Sequence, residues 1–98
     1  MNHIEELREV IKRFHGVDSR HVESVSVHET FRGKTVWDGV VEVFELIGHP
    51  QAARLYAWIQ DADGKKRHFT VLHVAPVDSP QKAVQAAILQ DYRNAQEA

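Results

Sequence analysis

The hydrophobic residues in the first fifteen positions recur at intervals of three and four, which is the spacing of one helical face. The apolar residues that form this face are Ile4, Leu7, Ile11 and Phe14. Asn2 precedes the stretch as an N-cap, and Gly16 follows it where a helix commonly ends on a left-handed glycine. The pattern predicts a helix over about 3–15.

From residue 21 the hydrophobic pattern changes to alternation, which is typical of strands. The predicted strands cover 21–31, 35–47, 52–60 and 67–75. The second is apolar on both faces, so it belongs inside a sheet, and Gly39 within it indicates a bulge or a close backbone approach. Asp78-Ser79-Pro80 then predicts the start of a second helix. Its buried stripe is Val84, Ala87, Ile88 and Tyr92.

The order of the predicted elements is α-β-β-β-β-α, with short connections that favour an antiparallel meander. A chain of 98 residues suits one domain, residues 1–98. Two amphipathic helices most simply cover one face of a four-stranded sheet. The sequence therefore predicts an α+β fold in which both helices pack on one face and the other face is open.

The segment Arg54 to Gln60 indicates what an open face would carry. Tyr56 and Trp58 alternate with aliphatic residues, so the two aromatic rings share one side of the strand. If the helices cover the aliphatic side, the rings are exposed, although the opposite assignment of faces remains open. The candidate ligand or interface residues are Tyr56, Trp58, Arg54, His28 and Trp37.

An exposed apolar face of this size usually marks an interaction surface. We expect a homodimer that buries it around a two-fold axis, because such dimers are the commonest oligomers. One alternative is a binding module in which Tyr56 and Trp58 stack on a small molecule, a peptide or a single-stranded base. The other is a small enzyme with a histidine and carboxylate site.

Composition narrows the functional classes mostly by exclusion. The residues are 43% hydrophobic and 27% charged, as in ordinary globular proteins, and the net charge of −2 predicts no bulk attraction to nucleic acid. The chain has no cysteine, which excludes disulfides and thiolate metal sites. No apolar run is long enough for a membrane span, and the N-terminal residues lack a signal-peptide pattern. The expected location is the cytoplasm.

The candidate chemistry is sparse. Seven histidines are present without the local pairs of a zinc site, so we expect no metal, and no glycine loop predicts a cofactor. The segment 61–64 begins like a calcium loop, but its later positions lack the required ligands, and it is interpreted as a hairpin turn. General acid–base chemistry could involve His28, Asp38, Glu42 and His68, and a meeting of His28 with His68 is left open.

The element order is close to the α-β-β-β-α order of the double-stranded RNA-binding domain. The segment 82–87, KAVQAA, resembles the beginning of that family's second helix. The predicted extra strand departs from the family, and only Lys82 stands where the family has a lysine cluster for phosphates. The sequence therefore does not predict RNA binding.

Overall fold

The structure, a computed structural model, describes residues 2–62 and 64–97, without the side chains of 62 and 94–97. Its elements are α1 (His3–His15), β1 (Asp18–Phe31), β2 (Lys34–Ile47), β3 (Arg54–Ala62), β4 (Lys65–Leu72) and α2 (Pro80–Glu97). The strands form one antiparallel sheet in the order β1-β2-β3-β4. The predicted α+β class, element order and meander are confirmed. Asp63, in the predicted hairpin turn, lies outside the described residues.

The helix ends follow the capping residues seen in the sequence. The side chain of Asn2 accepts a hydrogen bond from the Glu5 amide at 2.9 Å, and Gly16 adopts a left-handed φ of 71°. At α2, the Ser79 hydroxyl accepts from the Lys82 amide at 3.2 Å, directly before Pro80. These contacts satisfy backbone groups that a helix end leaves unpaired.

Several strand boundaries differ from the prediction: β4 covers Lys65–Leu72 instead of 67–75, and the shifted starts of β1 and β3 have identifiable reasons. β1 begins at Asp18 because its first residues pair through their backbone with Leu46 and Ile47, which the side-chain pattern does not reveal. β3 begins at Arg54, since the His49 Nδ1 atom accepts the amides of residues 51 and 52 at 3.1 and 3.2 Å. This local capping keeps the segment before β3 in a loop.

The two helices pack on opposite faces of the sheet, which corrects the prediction that both cover one face. Leu7 and Ile11 of α1 join a core cluster with Phe44, Leu55 and Ala57. Because side chains alternate along a strand, this cluster lies on the odd-numbered side of β3.

The second cluster lies on the even-numbered side of β3. Ala83 and Val84 of α2 pack there with Val43, Tyr56 and Trp58. The architecture is therefore helix, sheet, helix in three layers, and no face of β3 is left open where the helices cross it.

The reason for this arrangement is visible in β3 itself. Four consecutive residues are buried on alternating sides: Leu55 is 0% exposed, Tyr56 3%, Ala57 0% and Trp58 2%. A strand with apolar side chains on both faces requires a cover on each. A single helical layer could not have removed all four from water.

The hydrogen-bonded ladder between β2 and β3 is short, and the two hairpins therefore separate along part of their length. Among the described residues it consists of four pairs, from Glu42 opposite Ala57 to Glu45 opposite Arg54. Hairpin β1–β2 continues beyond the last pair to Lys34, and hairpin β3–β4 continues to Lys65, without pairing to each other. The two hairpins therefore separate beyond Glu42.

Trp37 spans this separation on the α2 side. Its indole nitrogen donates to the side-chain oxygen of Gln60 at 3.3 Å, and its ring meets Trp58 edge-on at 5.7 Å. A Cβ added at Gly39 would lie 3.1 Å from the Trp37 ring. The close approach predicted at Gly39 is thus that of the indole, while the register shifts of the β1–β2 pairing lie elsewhere.

Opposite-face packing predicts additive effects of core truncations. We expect Leu7→Ala to lower the free energy of unfolding by about 3 kcal/mol and Val84→Ala by about 2 kcal/mol. The double variant should lose the sum to within about 0.5 kcal/mol, because the two sites share no contact. Urea denaturation measures all three, with the exposed Val74→Ala as the matched control that changes little. Strong coupling between the two truncations would contradict the three-layer packing.

Candidate functional site

An open groove of about 740 Å³ lies between the tip of hairpin β1–β2 and the middle of α2. We call it the hairpin–helix groove. Four large apolar side chains that line it are exposed: Phe31 (63%), Val36 (49%), Leu89 (55%) and Tyr92 (64%). Tyr92 was expected in the buried stripe of α2, and the structure corrects this. Four of the nine large hydrophobic side chains that are exposed in the described part of the chain therefore line this one groove.

Local contacts hold the groove in shape. The Glu29 carboxylate, next to the register shift in β1, accepts from Gln85 at 2.7 Å and also from Gln81, so α2 is fastened to β1. Arg32 turns the chain with a φ of 54°, and its guanidinium lies 5.2 Å from the centre of the Phe31 ring. The ring therefore projects beside the groove with a cation stacked on it.

The predicted aromatic interface is covered by α2. Tyr56 and Trp58 are 3% and 2% exposed, so neither ring is available on the surface of this chain. The Tyr56 hydroxyl and the Nδ1 atom of His73 share a hydrogen bond of 2.6 Å, and burial raises the pKa of Tyr56 above its usual value. These rings belong to the core.

The other three predicted interface residues do not form one surface. Trp37 is half-buried in the gap between the hairpins. Arg54 and His28 are both exposed but lie on opposite faces, because Arg54 shares the side of Tyr56, whereas His28 pairs with Asp38 on the α1 side. The candidate set is therefore split between the core and two distant positions.

Apart from the apolar groove, a group of polar side chains surrounds Glu42, whose own side chain is only 4% exposed. Its carboxylate accepts from His3 Nε2 at 2.9 Å, from His21 Nε2 at 2.9 Å, and from the Ser24 hydroxyl. We call these four residues the Glu42 cluster. It joins α1, β1 and β2 at the point where the β2–β3 ladder ends.

The hydrogen bonds in the Glu42 cluster outweigh the cost of burying the charge. Burial alone would raise the pKa of the Glu42 carboxyl, but the donors from Ser24, His3 and His21 together hold that pKa below its usual value of 4.5. The ionised form is thus the one that the fold stabilises. A buried carboxylate with three donors fastens the helix to the sheet.

The acid–base set suggested by the sequence is brought together only in part. Glu42 meets His3 and His21 instead of His28 or His68. His28 lies 3.6 Å from Asp38, and His68 binds Glu6 of α1 at 2.8 Å. Since β1 and β4 are the two outer strands, His28 and His68 do not meet.

The Glu42 cluster does not have the geometry of a nucleophilic serine site. His21 Nε2 lies 2.9 Å from Glu42 and 3.5 Å from the Ser24 hydroxyl, so one nitrogen faces both partners. A triad needs the carboxylate and the serine on different ring nitrogens. Among the side chains that the structure describes, no three from histidine, aspartate or glutamate converge as metal ligands.

No family model, curated protein or solved structure matches this chain. In the part of the chain described, neither helix has the length and apolar character required to cross a bilayer.

The Glu42 cluster predicts a defined pH dependence of stability. At pH 7 we expect Glu42→Gln to lower the free energy of unfolding by about 2 kcal/mol, because it replaces charge-assisted bonds in a buried position. Since the folded-state pKa of Glu42 is lowered, its contribution is full above pH 4.5 and is lost as the pH falls through the folded-state value. The gap between wild type and variant should therefore close in acid.

The measurement is urea denaturation between pH 7 and pH 3. Glu45→Gln is the matched control on the same strand, since Glu45 makes an exposed pair with Arg20 and should contribute less than about 1 kcal/mol. A Glu42→Gln protein as stable as wild type at pH 7 would contradict the stabilising role of the carboxylate.

Proposed function

We propose that this chain is an interaction protein and that the hairpin–helix groove binds a second copy of the chain. The observation that carries the proposal is the grouping of Phe31, Val36, Leu89 and Tyr92, all exposed, around one cavity. Apolar side chains in contiguous exposed patches mark interaction surfaces more often than isolated ones do. Homodimerisation is the function that this surface supports best.

The shape of the groove favours a macromolecular partner over a small ligand. Small-molecule sites enclose most of the surface of their ligand. Here the rings of Phe31 and Tyr92 are each more than three-fifths exposed, so they project outward from the groove. Projecting aromatic rings are typical anchors at protein interfaces.

A second copy fits because each chain offers both a projection and a groove. In a two-fold arrangement the Phe31 tip of each copy can enter the groove of the other, and every contact then occurs twice. The groove also contains one residue of each charge, Arg32 and Glu29. A two-fold axis can bring the Arg32 of one copy near the Glu29 of the other, which makes the surface electrostatically self-complementary.

The compartment we propose for this dimer is the cytoplasm. The chain has no cysteine, so its stability is independent of disulfides and compatible with a reducing environment. A role for Tyr56 and Trp58 in stacking on a ligand is not part of the proposal, because α2 covers both rings.

Removal of one projecting ring should weaken the dimer. We expect Phe31→Ser to lower dimer affinity at least about 30-fold, because truncation of an aromatic anchor commonly costs about 2 kcal/mol and a two-fold interface contains the residue twice. Size-exclusion chromatography with light scattering over a concentration series measures the change.

Phe14→Ser is the matched control. Phe14 is 62% exposed against 63% for Phe31, and an arginine lies over each ring, at 5.6 Å and 5.2 Å respectively. Phe14 lies on α1, outside the groove, so its loss should leave the dimer unchanged. A wild-type chain that stays monomeric at millimolar concentration, or equal effects of the two variants, would overturn the proposal.

A further inference from the structure

The loop that joins β2 to β3 is held by one histidine ring. The Nδ1 atom of His49 accepts the backbone N–H of Gln51 at 3.1 Å and that of Ala52 at 3.2 Å. An imidazole nitrogen that accepts a hydrogen bond carries no proton, so the proton of the neutral ring is on Nε2. The closed loop therefore requires His49 in its neutral form.

The same loop closes one end of the core on the α1 side. Ala52 is 8% exposed and belongs to the buried cluster under α1. The carbonyl of the next residue, Ala53, accepts from the Leu46 amide at 2.8 Å. Release of the two amides from His49 would free Ala52 to leave the cluster.

A second histidine meets the ring of His49 from α1. His15 is the last residue of α1, and its ring lies edge-on to that of His49 with 6.1 Å between the ring centres. Its Nε2 atom shares a hydrogen bond of 3.0 Å with the Thr70 hydroxyl of β4, a group that does not titrate near neutral pH. Burial, and to a smaller degree His49, hold the pKa of His15 below its usual value of 6.5. A proton on either ring thus disfavours a proton on the other.

The surroundings of this histidine pair differ from those of the chain's other histidines. Four of the others each lie within 3.6 Å of a carboxylate: His3, His21, His28 and His68. Among the described residues, neither His15 nor His49 has a carboxylate ion-pair partner, and Asp18 at the end of α1 pairs with Lys12 at 3.3 Å. The pair therefore lacks the partner that would stabilise its charged form.

We propose that His49 is a proton-sensitive latch on the β2–β3 loop, closed while its ring and that of His15 are neutral and opened by proton binding in mild acid. A proton on Nδ1 removes the lone pair that both amides use, and a proton on His15 places a second positive charge beside it. Since the folded-state pKa of His15 is lowered, a fall in pH favours the open loop, in which that ring returns to water. Neither histidine lines the hairpin–helix groove, so the latch is separate from the proposed dimer surface.

Amide hydrogen exchange of the full chain tests the latch. Between pH 7.5 and pH 5.0 the protection factors of the Gln51 and Ala52 amides, corrected for intrinsic exchange, should fall at least about tenfold, because an unrestrained histidine gains its proton near about pH 6.5. The Ala83 amide, which donates to the Ser79 carbonyl at 3.0 Å at the start of α2, is the internal control and should change less than about twofold. Loop protection that does not depend on pH, or an equal fall at Ala83, overturns the proposal.

Substitutions separate the titration of His49 from the geometry of the loop. His49→Asn keeps a side-chain acceptor for the two amides but cannot bind a proton, so protection should persist at pH 5.0. His49→Ala has no acceptor and should show low protection at both pH values. A wild-type fall with pH in either variant overturns the proposal.

Two further variants test the neighbouring ring and the specificity of the effect. His15→Gln keeps a polar partner for Thr70 and should reduce the fall in protection, since one titrating group remains instead of two. His28→Asn is the matched control, because His28 is exposed on β1, where it pairs with Asp38 at 3.6 Å, and it should leave the fall unchanged. An undiminished fall in His15→Gln, or a lost fall in His28→Asn, contradicts the paired latch.

Discussion

The burial of both faces of β3 is the constraint on which the rest of the molecule depends. Leu55 and Ala57 need an apolar cover on one side, and Tyr56 and Trp58 need one on the other. Each helix supplies one cover, α1 through Leu7 and Ile11 and α2 through Ala83 and Val84. A sheet enclosed in this way leaves little apolar surface at its centre, so interaction surfaces arise at its ends.

The short β2–β3 ladder determines where those surfaces lie. Four pairs are enough to join the two hairpins, and the strands diverge beyond Glu42. Trp37 fills the divergence on the α2 side, whereas the α1 side keeps a cavity beside the Glu42 cluster. The same extension of hairpin β1–β2 carries Phe31 and forms one wall of the hairpin–helix groove, opposite α2.

The elements that could be predicted are those set by local pattern. The apolar stripe and the capping residues of α1 and α2 act within a few positions, and the predicted bounds of α1 agree with the structure, although Phe14 of its predicted apolar face is exposed. The meander followed from short connections. The placement of both helices on one face was wrong because it assumed a two-layer fold, although the two-sided apolar pattern of β2 and β3 already required cover on each side.

The Glu42 cluster could not be found from alternation, because a register shift after His21 changes the parity of β1. Simple alternation puts His21 and Ser24 on opposite faces, yet the extra residue brings both onto the side of Glu42. His3 belongs to α1, and no local sequence pattern determines where α1 lies over the sheet. The exposure of Phe31 and Tyr92 likewise depends on where the tip of hairpin β1–β2 lies relative to α2, which no local pattern shows.

Nuclear Overhauser contacts between assigned methyl and ring protons can show whether α1 and α2 cover opposite faces of β3. We expect contacts from the Val84 methyl groups to the rings of Tyr56 and Trp58, and from the Leu7 methyl groups to Phe44 and Leu55. Contacts from Val84 to Leu55 or Ala57 would place both helices on one face and contradict this packing.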